Sequence, residues 1–216
     1  MPEADWRVLP NAVDLERYRP DPDERTRLRE SLGLDGELVV GTACALRPGK
    51  QLEQLFQVVA RLAHRDVPLL LAGGPLVGGE AYASGLLELG RRQLAERLVH
   101  LGHLDDLRSF LNGLDLFINT SEGEAGSIGI LEALASGCPV VGYPSISVQE
   151  QVLPEGGEIV PQDDVGELAA AVDRWLDDPG RLATGRLGAR RRVETDYDPS
   201  SVADQLWSDY HDLLER

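Results

Sequence analysis

The sequence predicts an α/β domain, with a doubly wound, mostly parallel sheet, flanking helices and a C-terminal helical extension. Apolar runs of strand length alternate with amphipathic stretches of helix length as far as about residue 160, which is the pattern of βα units. Glycine and proline interrupt the alternation at Gly73-Gly74-Pro75, Gly137 and Pro144. Only helical patterns follow beyond that point. A sheet whose strands are joined by helices is therefore the predicted core.

Six strands are predicted, each a short apolar run. In chain order they cover residues 38–42, 68–72, 98–101, 116–119, 139–142 and 157–160. Helices are predicted between them over residues 52–64, 81–97, 105–112, 127–136 and 148–153. This strict alternation favours parallel strands with helices on both faces of the sheet.

The last third of the chain is predicted to be helical. Residues 165–192 have a helical pattern that breaks at Asp178-Pro179-Gly180, and the run Arg190-Arg191-Arg192 is interpreted as a solvated helix face. A final amphipathic helix is predicted from about residue 200 to the end. It places a stripe of apolar side chains at helical spacing, namely Val202, Leu206, Tyr210 and Leu213. An apolar stripe of this kind requires another protein surface to pack against.

Composition excludes several classes of function. The chain has 21 basic and 37 acidic residues, and its net charge of −16 argues against a nucleic-acid partner. No apolar run reaches the length of a membrane span, and the opening residues lack the layout of a signal peptide, so we expect no transmembrane segment and a cytoplasmic location. Cys44 and Cys138 have no metal-ligand spacing and are expected to be buried free thiols. The four scattered histidines do not support a zinc site.

Lys50 is the only lysine among the 21 basic residues. It ends the turn Leu46-Arg-Pro-Gly-Lys50, between the first predicted strand and the next helix. Loops of this kind lie at the carboxyl edge of an open sheet, where anionic ligands bind. An arginine-biased composition that spared one lysine by chance is the alternative. Position alone does not decide between them.

Glu132 is the single charged residue inside the predicted helix 127–136. It shares a stripe with Ile128, Leu131 and Ala135, so its carboxylate is expected to point where apolar side chains point. A carboxylate removed from water requires a partner. A structural arginine or a set of backbone donors is one possibility. The other is a pair of ligand hydroxyls, such as those of a ribose.

The loop before this helix, Thr120-Ser-Glu-Gly-Glu-Ala-Gly126, is rich in small residues. The first amides of the helix are thus expected to be accessible to an anion such as phosphate. Glu124 in the same loop would be unfavourable beside phosphate unless it served an uncharged polar group, for which a sugar hydroxyl is suitable. Together with Lys50 and Glu132, these are the parts of a nucleotide-sugar site.

These motifs resemble glycosyltransferase family four, the retaining nucleotide-sugar glycosyltransferases with the two-domain GT-B fold. The family's Glu-x7-Glu signature is matched by Glu124-Ala-Gly-Ser-Ile-Gly-Ile-Leu-Glu132 and is followed by Ala133-Leu-Ala-Ser-Gly-Cys-Pro-Val-Val141. Further matches run along nearly the whole chain: Leu9-Pro-Asn-Ala-Val-Asp14, Ala45-Leu-Arg-Pro-Gly-Lys50, Leu71-Ala-Gly-Gly-Pro75, Val99-His-Leu-Gly102 and Gly156-Gly-Glu-Ile-Val-Pro161. The order and spacing of the motifs make the resemblance specific.

The resemblance implies a role for each candidate residue. Lys50 and Glu124 are the implied catalytic residues, with Lys50 on the donor diphosphate and Glu124 on the donor sugar, while Glu132 holds the ribose. The remaining implied donor-binding positions are Arg47, the phosphate-cradling backbone of Gly126, Ser127 and Ile128, and the nucleobase segment of Gly102, His103 and Leu104. No metal or other cofactor is implied, because cationic side chains and a helix terminus neutralise the diphosphate. Asp105-Asp106 is accordingly interpreted as the start of a helix.

Three departures from the family pattern stand out. Ala45 occupies a position where the family often has arginine, and Arg47 is the candidate replacement. Glu-Ala-Gly-Ser replaces the common Glu-Gly-Phe-Gly after Glu124. The acceptor-binding half is expected to be absent, since the chain begins at what resembles the interdomain linker.

Two functions remain open from the sequence. The first is the donor-binding half of a retaining glycosyltransferase, transferring a sugar from a nucleotide-diphosphate sugar to an acceptor and inactive alone. The second is a solitary, non-catalytic nucleotide-sugar-binding or assembly module. In either case we expect residues 1–196 to form a Rossmann-like donor-binding domain. Residues 197–216 are expected to form a helix that packs on a missing N-terminal acceptor domain or on a partner, which would be a second copy in a homodimer.

Overall fold

The computed structural model describes residues 7–34, 36–64, 66–145 and 147–214. Within them the chain forms one six-stranded sheet. Its strands are β1 (Val40–Ala43), β2 (Leu69–Ala72), β3 (Leu98–Gly102), β4 (Leu116–Asn119), β5 (Val140–Gly142) and β6 (Gly157–Ile159). All six predicted strands are confirmed, each to within two residues at either end.

Nine α-helices lie within the described ranges. They are α1 (Pro22–Leu32), α2 (Leu52–Arg61), α3 (Glu80–Leu94), α4 (Arg108–Gly113), α5 (Ile128–Ala135), α6 (Val148–Val152), α7 (Val165–Leu176), α8 (Pro179–Asp196) and α9 (Pro199–Leu214). Short 3₁₀ turns cover Pro48–Lys50 and Ala95–Arg97. Helix α1 was not predicted from the sequence. Helix α4 begins three residues after the predicted start, because the Asp106 carboxylate accepts a hydrogen bond from the Arg108 amide just ahead of it.

The sheet is parallel throughout, with the order β3-β2-β1-β4-β5-β6. Val40 of β1 lies beside both Leu69 of β2 and Leu116 of β4. The chain therefore winds outward in one direction from β1 to β3 and in the other from β4 to β6. The point between β1 and β4 is the topological switch point, where open α/β sheets bind their ligands.

Apolar layers cover both faces of the sheet. One layer packs α2, α3 and α7 around fully buried side chains such as Phe56 and Val172. The other packs α4, α5, α6 and α8 around side chains such as Phe110 and Leu131. Both faces of each central strand are thus covered, which explains why these strands are mainly apolar and do not alternate between apolar and polar residues.

The structure corrects the interpretation of Arg190-Arg191-Arg192 as a solvated helix face. Arg190 donates from Nη1 to the backbone carbonyls of Tyr18, at 2.8 Å, and Ala135, at 3.0 Å. Because these carbonyls belong to the N-terminal segment and to the end of α5, Arg190 joins α8 to both. Only Arg191 is mostly exposed, with 67% of its side chain accessible.

Helix α9 lies apart from the core, and none of its residues is buried. Its exposed large apolar side chains are Leu206, Trp207, Tyr210, Leu213 and Leu214. Polar contacts tie it to the start of the described chain, where Arg7 pairs with Asp209 at 2.6 Å and with Asp212 at 3.0 Å. Among the described residues, no helix combines the length and the hydropathy that crossing a membrane requires.

Candidate functional site

The loops that follow β1, β2 and β3 are joined at the carboxyl edge of the sheet. Cys44 donates its amide to the Ala72 carbonyl at 3.0 Å, and Gly73 donates to the Gly102 carbonyl at 2.7 Å. Gly73 has a φ of 136°, and a Cβ on it would lie 1.8 Å from the Cys44 carbonyl oxygen. No side chain fits there, so glycine is what lets the first two loops approach so closely.

The loop after β4 is joined to the loop after β1 across the switch point. The Glu122 amide donates to the Gly49 carbonyl at 2.9 Å, and Thr120 Oγ1 donates to the Lys50 carbonyl at 2.9 Å. These bonds bring the side chains of Lys50 and Glu124 together, and their Nζ and Oε1 atoms form a salt bridge. Both side chains are about 14% exposed or less. The two implied catalytic residues are thus each other's counter-ion in this structure.

The loop after β5 holds Glu124 from the other side. The Ser145 and Ser147 hydroxyls donate to the Glu124 backbone carbonyl at 3.1 Å and 3.3 Å. Gln151 of α6 donates from Nε2 to the Ser127 carbonyl at 3.2 Å. The backbone around Glu124 and Ser127 is therefore fixed by hydrogen bonds from a neighbouring loop and helix.

The amino end of α5 has the features of an anion site. Ser127 is the N-cap, and its hydroxyl accepts from the Ile130 amide at 3.4 Å. The amides of Ile128 and Gly129 find no acceptor in the described part of the chain. Since these donors and the helix dipole both attract negative charge, this end of α5 is suited to a phosphate.

A cavity of about 540 Å³ opens beside this helix end. Its lining comes from the loops after β1, β2 and β3 and from α5. The members of the lining are Ala43, Cys44, Ala45, Ala72, Gly73, Gly74, Pro75, Leu76, His103, Leu104, Leu107, Ile128, Gly129 and Glu132. Most are small or apolar, and Glu132 is the only acidic side chain among them. The volume and character suit a small organic ligand with a few polar groups.

Glu132 is half-buried at the wall of this cavity. The Tyr18 phenol and the Arg17 guanidinium lie close enough to its carboxylate to favour the ionised form. Burial raises the pKa of Glu132, and the nearby Tyr18 phenol and Arg17 guanidinium oppose that rise only in part. In the described part of the chain, no arginine and no backbone amide is hydrogen-bonded to this carboxylate. Beside the phenol, the cavity leaves room for hydroxyl groups of a ligand.

The predicted stripe that placed Glu132 among apolar side chains needs correction. Leu131 and Ala135 are fully buried in the core, whereas Ile128 is 55% exposed and faces the cavity together with Glu132. Positions four residues apart lie on the same side of a helix. Leu131 and Ala135 therefore share one face of α5, and Ile128 and Glu132 share the adjacent face. Glu132 and Ile128 form the cavity-facing side of α5.

The other predicted site residues are distributed along the same edge. His103 and Leu104 line the cavity, and Gly102 adjoins it through its bond to Gly73. Gly126 contributes its carbonyl to the Asn11 side chain at 3.2 Å. Arg47 is exposed beside Lys50, outside the cavity lining.

Sequence reasoning missed Tyr18 and Cys44. Tyr18 is 8% exposed and comes from the N-terminal segment, far from Glu132 in sequence, so no local pattern indicates their contact. Cys44 is a free thiol that lines the cavity, and burial raises its pKa to about 11 against the opposing charge of Lys50. The position of Cys44 at the end of β1 is the signal that could have placed it here. Cys138 is a free, buried thiol as expected.

Within the described ranges, no group of three or more His, Cys, Asp or Glu side chains is arranged to hold a metal ion. Asp106 forms an ion pair with Arg108 at 2.6 Å, and Asp105 is fully exposed beside His103 at 3.3 Å. The helix begins only at Arg108, so Asp105-Asp106 precedes the helix that it was interpreted to start.

Known proteins with similar sequences are glycosyltransferases. The family model described as "Glycosyl transferases group 1" matches residues 37–178. A GDP-mannose-dependent alpha-(1-6)-phosphatidylinositol monomannoside mannosyltransferase of Mycolicibacterium smegmatis is 31% identical over 200 residues, covering 88% of this chain and 52% of that protein. A D-inositol 3-phosphate glycosyltransferase of Mycobacterium marinum is 34% identical over 191 residues, covering 84% of this chain and 38% of that protein. The chain spans about half the length of the curated relatives it matches.

Solved structures share the fold. The Anabaena HepE protein in complex with UDP and glucose superposes with a TM-score of 0.87 and 26% identity, over 95% of this chain and 56% of that one. The C-terminal domain of the group 1 protein LpcC from Francisella tularensis superposes with a TM-score of 0.75 and 18% identity, over 87% of this chain and 99% of that one. The described domain is thus one half of a GT-B fold, Rossmann-like as the sequence predicted.

Proposed function

The chain belongs to the glycosyl transferases group 1 family, and from this premise we propose that it binds the nucleotide-diphosphate sugar of a glycosyl transfer reaction. The observation that carries the proposal is the grouping of four features around the switch point. A half-buried carboxylate, two unpaired helix amides, a lysine–glutamate pair and an apolar cavity lie along one edge. Each suits one part of such a donor.

The donor would lie along the edge from β3 toward β5. Its base occupies the cavity beside His103 and Leu104, and its ribose hydroxyls donate to Glu132. The diphosphate then reaches the amides of Ile128 and Gly129, whose protein acceptors are missing from the described chain. This order places the sugar close to Glu124.

Lys50 changes partner in this proposal. In the free protein its ammonium group neutralises Glu124. A bound diphosphate would take over Lys50, and Glu124 would be released to accept from a sugar hydroxyl. As the bond to the sugar breaks, negative charge grows on the leaving diphosphate, and Lys50 together with the α5 amides stabilises that charge. We propose that these cations and dipoles serve without a metal.

The transfer itself is proposed to retain the configuration of the sugar, as the Glu124 and Glu132 motif of the resembling family implies. The acceptor would bind on a domain outside this chain, and closure of the two domains would complete the site. The chain alone is therefore expected to bind donor without turnover. The cytoplasmic location stays a prediction.

We further propose that α9 packs on that acceptor domain or on a partner, as the division at residue 196 implies. The support is its exposed apolar face, which includes Trp207 at 68% exposed and Leu214 at 83% exposed. Faces of this kind on a folded chain mark contact surfaces. Sedimentation of the isolated chain should show self-association that Trp207→Ser reduces. A strict monomer for both proteins would argue against a homodimer.

Isothermal titration of the chain with UDP, GDP, UDP-glucose and GDP-mannose in the presence of EDTA tests donor binding. We expect at least one of them to bind, and Lys50→Ala to weaken that binding by about tenfold or more, because a charge-assisted hydrogen bond is lost. Arg47→Ala, in the same loop, is the matched control and should have the smaller effect. Equal affinity of wild type and Lys50→Ala for every binding ligand would remove Lys50 from the site.

A further inference from the structure

A second cavity lies at the opposite edge of the sheet, where the strands begin. Its volume is about 480 Å³, within the range of small-molecule sites. Its walls are the start of α1, the ends of α4 and α5, and the outer side of α8. The cavity shares no lining residue with the proposed donor site. It is therefore a separate feature of the molecule.

Four arginines line this cavity, namely Arg25, Arg186, Arg190 and Arg191. Its two acidic lining residues, Asp21 and Glu194, are both engaged in the fold. The Asp21 carboxylate accepts from two amides as the N-cap of α1, and Glu194 pairs with Arg190 at 2.6 Å. In a chain of net charge −16, this is a local concentration of positive charge.

The charge behind the cavity wall is also unbalanced. One carboxylate, that of Asp115, pairs with Arg25 at 2.6 Å, Arg29 at 2.5 Å and Arg186 at 2.8 Å. Three guanidinium groups on one carboxylate leave two positive charges without an acidic partner in this group. Backbone carbonyls at the end of α4 offset part of that charge, because Arg25 donates to the carbonyls of Asn112 and Leu114.

Unused donors remain on two of the arginines. In the described part of the chain, Arg186 bonds only through Nη2, to Asp115 and to the Leu114 carbonyl. Arg191 bonds only through Nη1, to Glu155 at 3.2 Å. Their side chains are 30% and 67% exposed, so the remaining N–H groups are accessible to a ligand.

We propose that this cavity binds a dianionic phosphoryl group, carried by a soluble phosphate ester or by a lipid headgroup. The surplus of arginine at this cavity suits an anion, and the planar fork of a guanidinium group donates two parallel hydrogen bonds to phosphate oxygens. The site does not depend on donor binding, because it lies at the other edge of the sheet.

Thermal denaturation with inorganic phosphate tests the proposal, with chloride replacing phosphate at constant ionic strength. Phosphate should raise the midpoint of wild type, and Arg191→Gln and Arg186→Gln should each weaken the apparent affinity by about tenfold or more. Each variant is compared with its own midpoint in chloride, and Arg191→Gln covers the case that Arg186→Gln fails to fold. Arg92→Gln, an exposed arginine on α3, is the matched control and should respond like wild type.

Lys50→Ala separates this site from the donor site, because it should keep the phosphate response. Loss of that response in Lys50→Ala, together with its retention in Arg191→Gln, would overturn the proposal, as would no phosphate-specific response in wild type. Sedimentation with vesicles that contain phosphatidic acid, whose phosphomonoester can carry two negative charges, against vesicles of phosphatidylcholine alone, distinguishes the carriers. Pelleting that Arg191→Gln abolishes indicates a lipid headgroup, and a phosphate response without pelleting indicates a soluble ester. Either result supports the site.

Discussion

Two buried or half-buried carboxylates at opposite edges of the same sheet have opposite electrostatics. Asp115, just before β4, is surrounded by guanidinium groups, and Glu132, on α5, lies beside the Tyr18 phenol and faces a cavity. Burial alone would raise the pKa of Asp115, yet Arg25, Arg29 and the Val39 amide hold it below its usual range. Burial raises the pKa of Glu132. The difference separates a carboxylate that the fold satisfies from one that the fold leaves partly unsatisfied.

The two edges use their charges differently as a result. At the amino edge, Asp115 fixes α1 and α8 through arginines that also bind backbone carbonyls. At the carboxyl edge, Lys50 and Glu124 form a single pair whose partners a ligand could exchange. The first arrangement joins elements of the fold, and the second lies in the donor site that we propose.

The largest effect should come from Asp115→Asn. The substitution leaves three guanidinium groups without their carboxylate, so we expect the free energy of unfolding in urea to fall by about 3 to 5 kcal/mol. Asp204→Asn, on the exposed helix α9, is the control and should change it by less than about 0.5 kcal/mol. Nucleotide binding by the folded fraction should persist. If Asp115→Asn lost no more stability than Asp204→Asn, the Asp115 cluster would not stabilise the fold, and the contrast between the two edges of the sheet would be wrong.

The lowered pKa of Asp115 also predicts how the stability of the fold depends on pH. The pKa of Asp115 is lower in the folded chain than in the unfolded one, so its contribution is present above the unfolded value of about 3.9 and is lost as pH falls through the folded value. Acid unfolding of wild type should therefore be steeper than that of Asp115→Asn below about pH 4. Overlapping acid transitions, after correction for starting stability, would contradict this assignment.

Glu132→Gln should have the opposite effect on stability from Asp115→Asn. Because burial penalises the ionised form of Glu132, removing its charge should leave stability at neutral pH unchanged or slightly higher. Binding of the bare nucleotide should weaken by about tenfold in calorimetry. Glu124→Gln is the matched variant, and it should weaken binding only when the sugar is attached. If both variants lost the same affinity for the bare nucleotide and for the nucleotide sugar, Glu124 and Glu132 would not have the separate roles proposed.

Nucleotide affinity should also fall on acidification, beginning above the usual range of a glutamate. The raised pKa of Glu132 means that its carboxylate takes up a proton early and then loses the ability to accept from two hydroxyls. Binding titrations at a series of pH values below neutral should show this fall in wild type and not in Glu132→Gln. A parallel fall in both proteins would assign the titration to another group.

The smallest effect is expected from Tyr18→Phe. The Tyr18 hydroxyl lowers the pKa of Glu132, so its removal should move the pH profile of binding to higher pH. At neutral pH the affinity should change by only a few-fold, since a single hydrogen bond contributes about 0.5 to 1.5 kcal/mol. Tyr210→Phe, on α9, serves as the control. An unshifted profile would mean that Tyr18 fills space without acting on Glu132.

The strands and most of the helices could be predicted because their signals are local. Each strand is a short, mainly apolar run, and the switch point follows from their order. Helix α1 was missed because it is mostly charged, with only Leu28 and Leu32 as large apolar residues. Its signals were Asp21 followed by Pro22 at the start and Gly33 in a left-handed conformation at the end.

The candidate site was predicted in outline and not in its pairings. Motif spacing indicated Lys50, Glu124 and Glu132, but no pattern indicates that Lys50 and Glu124 bind each other. The Asp115 cluster was missed for the same reason, because its arginines come from α1 and α8. Contacts between distant segments depend on how the helices pack, and hydrophobic periodicity does not encode which charged side chains meet.

The segment ahead of α1 has a consequence for anyone who grafts or recombines this domain. Asn11 bonds to the loop carrying Glu124, the Val13 amide bonds to the Tyr197 carbonyl, and Tyr18 reaches Glu132. A chimera cut to the family-matched residues 37–178 would keep the whole sheet and both glutamates. It would still lose the Tyr18 phenol beside Glu132 and the Asn11 side-chain amide that donates to the loop carrying Glu124. A domain transferred with these contacts intact therefore starts upstream of Asn11 and extends at least to Tyr197.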